Sequence, residues 1–158
     1  MKKLTFVFLI VTLFTITTQI AIAQDRGLGV GAAIGGPDGM SYKYWLGGSA
    51  ALSGLVSFAI SENNSRFYTH LDILNHKFYD ELDWDVGRMF YYYGGGFGFE
   101  WIEWTNDNIF MLRLPSGIGF NFNDMPVGLF LELAPTVDVS PEFHLHFNGN
   151  IGFRYFLN

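Results

Sequence analysis

The sequence predicts an all-β chain: an eight-stranded antiparallel up-and-down transmembrane β-barrel that follows a cleaved signal peptide. Three observations carry this reading. First, residues 142–157 alternate: Phe143, Leu145, Phe147, Gly149, Ile151, Phe153, Tyr155 and Leu157 on one face, His144, His146, Asn148, Asn150, Gly152 and Arg154 on the other. A strand separates two such sets, whereas a helix would mix them. Second, Lys2 and Lys3 precede an apolar run and then Ala21-Ile22-Ala23, which is the pattern of a secretory signal with an A-x-A cleavage site. Third, no later apolar run reaches the roughly 20 residues of a spanning helix, so any membrane insertion must use strands.

The signal is expected over 1–23 and a single domain over 24–158. Strands are read at 27–35, 40–46, 49–60, 66–75, 88–103, 109–123, 126–139 and 142–157. Turn chemistry separates them: Gly36-Pro37-Asp38-Gly39, Gly47-Gly48, Ser61-Glu62-Asn63-Asn64-Ser65, Thr105-Asn106-Asp107-Asn108, Asn123-Asp124-Met125-Pro126 and Ser140-Pro141. The recurrence of these signals fits an all-β meander.

Each strand then has two faces. One carries large apolar residues such as Leu28, Tyr44, Phe58, Ile73, Phe97, Leu112, Phe120, Leu131 and Phe153, and no charge. The other carries Gly, Ala and Ser with Lys43, Asp72, Arg88, Glu100, Arg113, Glu132, Asp138 and Arg154. An eight-stranded barrel has an interior just wide enough to be filled by side chains, and dozens of large ones would not fit. The apolar face is therefore assigned to lipid and the small, charged face to the lumen. Four basic and four acidic groups balance there, with Arg113 and Glu132 on adjacent strands. They read as a structural polar plug more readily than as a gate or proton path, and a lumen so crowded is unsuited to a porin.

Composition narrows the function. The chain has no cysteine, which removes disulfides, thiolate nucleophiles and Cys-ligated metals. The net charge of −6, nearer −8 without Lys2 and Lys3, argues against nucleic acid. Tyr42, Tyr44, Tyr91, Tyr93, Trp101, Trp104 and Tyr155 are candidates for interfacial girdles, where rings meet lipid and polar tips meet water. His144 and His146 share a face, and with His70 or Asp72 they form a weak polar or metal-binding candidate. A Ser–His–acid set is conceivable from Ser53, Ser57, His70, Asp72 and Glu132, but no spacing joins nucleophile to base. The acidic run Asp80, Glu81, Asp83 and Asp85 lacks an EF-hand pattern and reads as a solvated loop. No catalytic residue, metal or cofactor is assigned.

The signal, the eight strands and the aromatic terminal strand resemble small bacterial outer-membrane barrels of the OmpA/OmpX kind. Tyr42-Lys43-Tyr44-Trp45-Leu46, Phe130-Leu131-Glu132-Leu133-Ala134-Pro135 and Gly152-Phe153-Arg154-Tyr155-Phe156 resemble segments of a family of exported bacterial barrels that itself implies no activity. The resemblance implies outer-membrane location in a Gram-negative bacterium, with outer-membrane lipids and the barrel-assembly machinery as partners. The expected role is structural or surface-interacting. A lipid A deacylase-like or acyltransferase-like enzyme and a soluble lipocalin-like carrier are the alternatives. Such barrels end on an aromatic residue; here the last, Phe156, is displaced by two positions. The resemblance also puts both termini, and hence the long connection 76–87, on the periplasmic side, where turns are usually short. Either that segment extends its flanking strands or one strand is misplaced.

Overall fold

The structure, a computed structural model, describes residues 27–61, 65–103, 105 and 107–157. The expected signal 1–23, Gln24 and Trp104 lie outside the described residues. The described chain is all-β. Its nine strands are β1 Leu28–Gly35, β2 Gly39–Gly47, β3 Ala50–Ala59, β4 Arg66–Trp84, β5 Gly87–Ile102, β6 Asp107–Arg113, β7 Ser116–Phe122, β8 Val127–Ser140 and β9 His144–Leu157. Pairing is antiparallel throughout. Each strand has neighbours on both sides, and the pairings return from β9 to β1.

The ring closes with a stagger. Partners followed from Val30 run through Tyr42, Gly54, Leu71, Phe97, Leu112 and Val137 to Leu145. The β9 residue directly opposite Val30 is instead Tyr155, ten positions beyond Leu145. Strands must tilt, by roughly 35–45°, for a sheet to close with a fixed offset of this sort. One end of the ring carries Leu28, Leu157 and the turns 48–49, 85–86 and 123–126; the other carries the turns 36–38 and 141–143 with the strand ends Ala59, Arg66, Ile102 and Asp107. At the β2–β3 turn Gly47 and Gly48 have φ of +113° and +59°, which side chains with a Cβ rarely adopt.

Two expectations are corrected. The strand expected at 109–123 is two strands, making nine. Register continues across the break: Arg113 opposes Gly96 and Thr136, and Ser116 opposes Tyr93 and Leu133. The interruption is Leu114–Pro115, where proline has no N–H to give to the ladder. The ring therefore has eight strand positions, one of them in two pieces. Secondly, the acidic run is not a loop: 76–87 extends its two flanking strands, the first of the two alternatives above. β4 continues to Trp84, and Asp85 and Val86 form the turn into β5, with a register shift between Phe78 and Asp83. The alternation simply carries on: His76 is buried while Lys77 and Tyr79 are exposed. The side chains of 80–83, with Asp80, Glu81 and Asp83, lie outside the described residues.

The two faces differ sharply in solvent exposure. Leu131 and Leu133 are each 52% exposed and Phe97 61%, while Lys43, Asp72 and Arg113 are each 1% exposed. The inner face is not confined to small residues and charges, however. Trp45, Tyr68, Phe90, Tyr92, Phe130 and Phe156 are buried there. Inner glycines make the room. A Cβ on Gly29 would stand 2.8 Å from the Phe156 ring, and one on Gly152 2.6 Å from the Phe130 ring. A narrow interior can thus hold rings, provided the facing residue has no side chain.

Gly29→Val should therefore overpack the interior, at a cost of about 1–3 kcal/mol. Gly149→Ala, where the nearest atoms to a new Cβ are 3.9 Å away, should be tolerated. Denaturant midpoints of the refolded variants check this, with equal midpoints counting against the packing described.

Candidate functional site

The polar interior centres on Arg113, which reaches from β6 across the ring. Its Nε donates to Asp72 Oδ1 at 3.3 Å, its Nη2 to Glu132 Oε1 at 3.1 Å and its Nη1 to the Tyr68 hydroxyl at 3.0 Å. Asp72 and Tyr68 sit two turns of the alternation apart on β4, and Glu132 is on β8, so one guanidinium ties together three strands. The Tyr92 hydroxyl donates to Glu132 Oε2 at 3.1 Å. Asn148 of β9 donates to the Tyr68 oxygen at 3.2 Å. That oxygen then accepts from Arg113 and Asn148, so its own proton points at His70 Nδ1, 3.1 Å away. The neutral His70 ring accordingly carries its proton on Nε2, which faces Asp72 Oδ2 at 3.6 Å.

The other two deeply buried cations have different partners. Arg154 donates to Ser41 Oγ at 2.9 Å and Ser53 Oγ at 3.0 Å, and its guanidinium carbon lies 3.9 Å from the Phe130 ring centroid. Lys43 Nζ lies 4.3 Å from the Trp45 ring centroid and 4.9 Å from that of Phe90. The quadrupoles of these rings stabilise a cation. Arg154 thus meets hydroxyls and a ring, and Lys43 lies over aromatic faces.

The remaining predicted charges lie towards the ends. Glu100 pairs with Arg66 on β4. Asp138 faces His146 Nδ1 at 3.7 Å. Arg88 stacks on Phe78, 4.1 Å from its centroid. The three histidines do not form one cluster. His70 belongs to the buried centre, while His144 and His146 stack with centroids 6.0 Å apart near the 141–143 turn, His144 being exposed. Asn148 of β9 still reaches Tyr68 of β4, but His144 and His146 lie beyond it, towards the end of the ring.

A different set is grouped as metal ligands would be: His70, Asp72 and Glu132 place one donor atom each within 4.8 Å of one another. The guanidinium of Arg113 already pairs with both carboxylates and would repel a dication. This centre is chemically a buried ion triad. Of the conceivable catalytic groups, Ser53 is engaged by Arg154 and the Tyr42 carbonyl, and His70 by Tyr68 and Asp72.

Of the girdle candidates, Tyr44 and Tyr93 are exposed, and Tyr91, Trp101 and Tyr155 are half-buried. Tyr42 differs: its hydroxyl donates to the His70 carbonyl at 3.3 Å, so its tip is turned to the backbone. Near the β4–β5 turn, Tyr91 stacks between Tyr79 and Tyr93 at 5.5 and 6.1 Å. Towards the opposite end, Phe58, Phe67, Phe99 and Phe110 form a chain of ring contacts across β3 to β6.

Sequence reasoning passed over Tyr68, Tyr92, His76 and Arg66. Arg66 and His76 are in phase with His70 and Asp72 on β4, and that alternation was the available signal. Tyr92 is in phase with Gly94, Gly96 and Glu100 on the inner face of β5, so the same signal marked it. No family model, curated protein or solved structure matches the chain.

Arg113→Met should strand two buried carboxylates and lower stability by about 3–5 kcal/mol. Adding Asp72→Leu and Glu132→Leu should recover most of that loss, since a whole buried triad can be exchanged for apolar groups at little net cost. Urea midpoints check both; a triple variant no more stable than the single would contradict the assignment.

Proposed function

We propose that this chain is an integral outer-membrane β-barrel of the small OmpA/OmpX kind, exported through the signal at 1–23. Its role is structural or surface-interacting, and it is neither a porin nor an enzyme. The exposure pattern carries the reading: every strand turns large apolar side chains outward, while Lys43, Asp72, Arg113, Glu132 and Arg154 are buried. Soluble monomers rarely expose apolar patches beyond about 300–600 Å². A bilayer requires such a surface, since each lipid-facing Lys or Arg costs about 2–4 kcal/mol at mid-depth.

The closed pairing supports the same reading, because hydrocarbon tolerates no free strand edge. A lipocalin-like carrier would need the faces inverted, yet Phe147 is 63% exposed and Phe153 50%. Tyr92, Phe130, Phe156 and the Arg113 centre occupy the bore, which favours a plug over a channel. The nearest partners on this reading are outer-membrane lipids and the barrel-assembly machinery, with no cofactor.

Carbonate-washed membranes should retain the protein, and the extracted form should migrate faster on a detergent gel before boiling than after. Leu131→Arg should reduce the membrane-retained fraction severalfold, whereas Leu131→Met should not. Release of the wild type by carbonate, or normal insertion of Leu131→Arg, would overturn the reading.

A further inference from the structure

The outer face of the ring carries a groove that follows the strand register. Lys77 of β4 opposes Tyr91 of β5, and the pairings carry on through Ile118 of β7, Leu131 of β8 and Ile151 of β9 to Ile34 of β1. A second line, two residues along each strand, runs from Tyr93 through Ser116 and Leu133 to Gly149. Ser116 and Gly149 keep this second line low. A groove of about 850 Å³ lies along the two lines, from Tyr91 and Tyr93 to Ile34, with Gly117 and Asn150 between its banks.

Its two ends differ. At one, Lys77 is exposed on the outward phase of β4, with Asn75 and Tyr79. It lies beyond Asn75, the last β4 residue paired with β3, and so towards the end of the ring that holds Leu28 and Leu157. Its Nζ is 5.8 Å from the Tyr91 ring centroid, and Tyr91 stacks between Tyr79 and Tyr93. One ammonium and three phenols thus gather where the groove begins, the kind of group that marks a membrane boundary. From there the banks are aliphatic, and the far end, Ile34, adjoins the 36–38 turn. From β4 to β1 the line crosses five strand spacings, roughly 24 Å. With strands tilted by roughly 35–45°, it climbs about 14–17 Å along the ring axis. That is the depth of one leaflet of a hydrocarbon core about 30 Å thick.

We propose that the groove seats one acyl chain of a glycerophospholipid of the periplasmic leaflet, with the lipid's phosphodiester held by Lys77 and the hydroxyls of Tyr79 and Tyr91. The inference rests on the membrane reading above, which puts both termini, and hence Lys77, on the periplasmic side. Charge selects the head. A phosphodiester carries one negative charge, which Lys77 matches, and its oxygens accept from an ammonium and from phenols. An uncharged glycerolipid would gain nothing from Lys77. Length and chemistry select the tail: an aliphatic trench as deep as one leaflet, continuous with the cation at its polar end, fits a single chain lying along the register line. The bore takes no part, since Lys77, Ile118, Leu131, Ile151 and Ile34 are exposed on the outer face.

The test is native mass spectrometry of the protein in dodecyl maltoside with added lysophosphatidylglycerol, a chain-matched monoacylglycerol, or glycerol phosphate. One lysophosphatidylglycerol per protein should be retained, at least tenfold more than either of the others. Lys77→Gln should lower that retention at least tenfold, and Lys77→Arg should not. Gly149→Phe should also lower it at least tenfold, because a Cβ there meets nothing closer than 3.9 Å and the ring fills the groove; Val56→Phe on β3, outside the groove, should not. The gel shift on boiling reports folding, and if Gly149→Phe fails it, Ser116→Leu, expected to lose at least threefold, decides. Monoacylglycerol or glycerol phosphate held as well as the phospholipid, several lipids per protein, a dimer that covers the groove, or variants that bind like wild type would overturn the site. If carbonate-washed membranes still hold the protein in that case, the membrane reading stands alone; if they release it, both fall.

Discussion

A ring of paired strands with no free end leaves each side chain two destinations, and the rest of this molecule follows from that constraint. Backbone groups are consumed by the ladders, and the space they enclose holds apolar clusters as well as charges. What distinguishes inside from outside is then volume. The outer face can carry any number of branched and aromatic groups, but the inner one has a fixed and small capacity. Glycine opposite ring, as at Gly29 with Phe156 and Gly152 with Phe130, is how that capacity is filled without collision.

Burying charge in such a space demands compensation, and the three buried cations meet it in three ways. Arg113 lies between two carboxylates, Arg154 against two hydroxyls and a ring, and Lys43 over aromatic faces. Coulombic attraction is strong at low dielectric but so is desolvation, so the Arg113 triad specifies which strands meet more than it adds net stability. The contacts it makes, β6 to β4 and β6 to β8, cross or staple the ring and fix its shape.

Much of this was legible in the chain. Period-two alternation in β9 assigns Leu145 to Leu157 and their even-numbered neighbours to opposite faces, and the structure keeps that division. The adjacency of Arg113 and Glu132 followed from strand order. Less was legible where local signals compete. The acidic residues after His76 look like a loop, yet backbone alternation persists through them to Trp84. Pro115 lies within a good strand pattern and interrupts it by lacking one donor. Tyr68 and Tyr92 are inward because of phase alone, and no charge drew attention to them. The pairing of Arg66 with Glu100 depends on the register between the adjacent β4 and β5, and the separation of His70 from His144 and His146 on how deep each sits in the ring. Spacing along one strand carries none of that information.

The central claim is that the odd positions of β9 face acyl chains and the even ones face the interior. Because the chain has no cysteine, single nitroxide labels can be placed along β9 in vesicle-reconstituted protein. The account predicts high oxygen collision rates at Leu145, Phe147, Ile151 and Phe153 and low ones at Asn148, Asn150 and Arg154. High rates at the even positions, or no two-residue period at all, would contradict it.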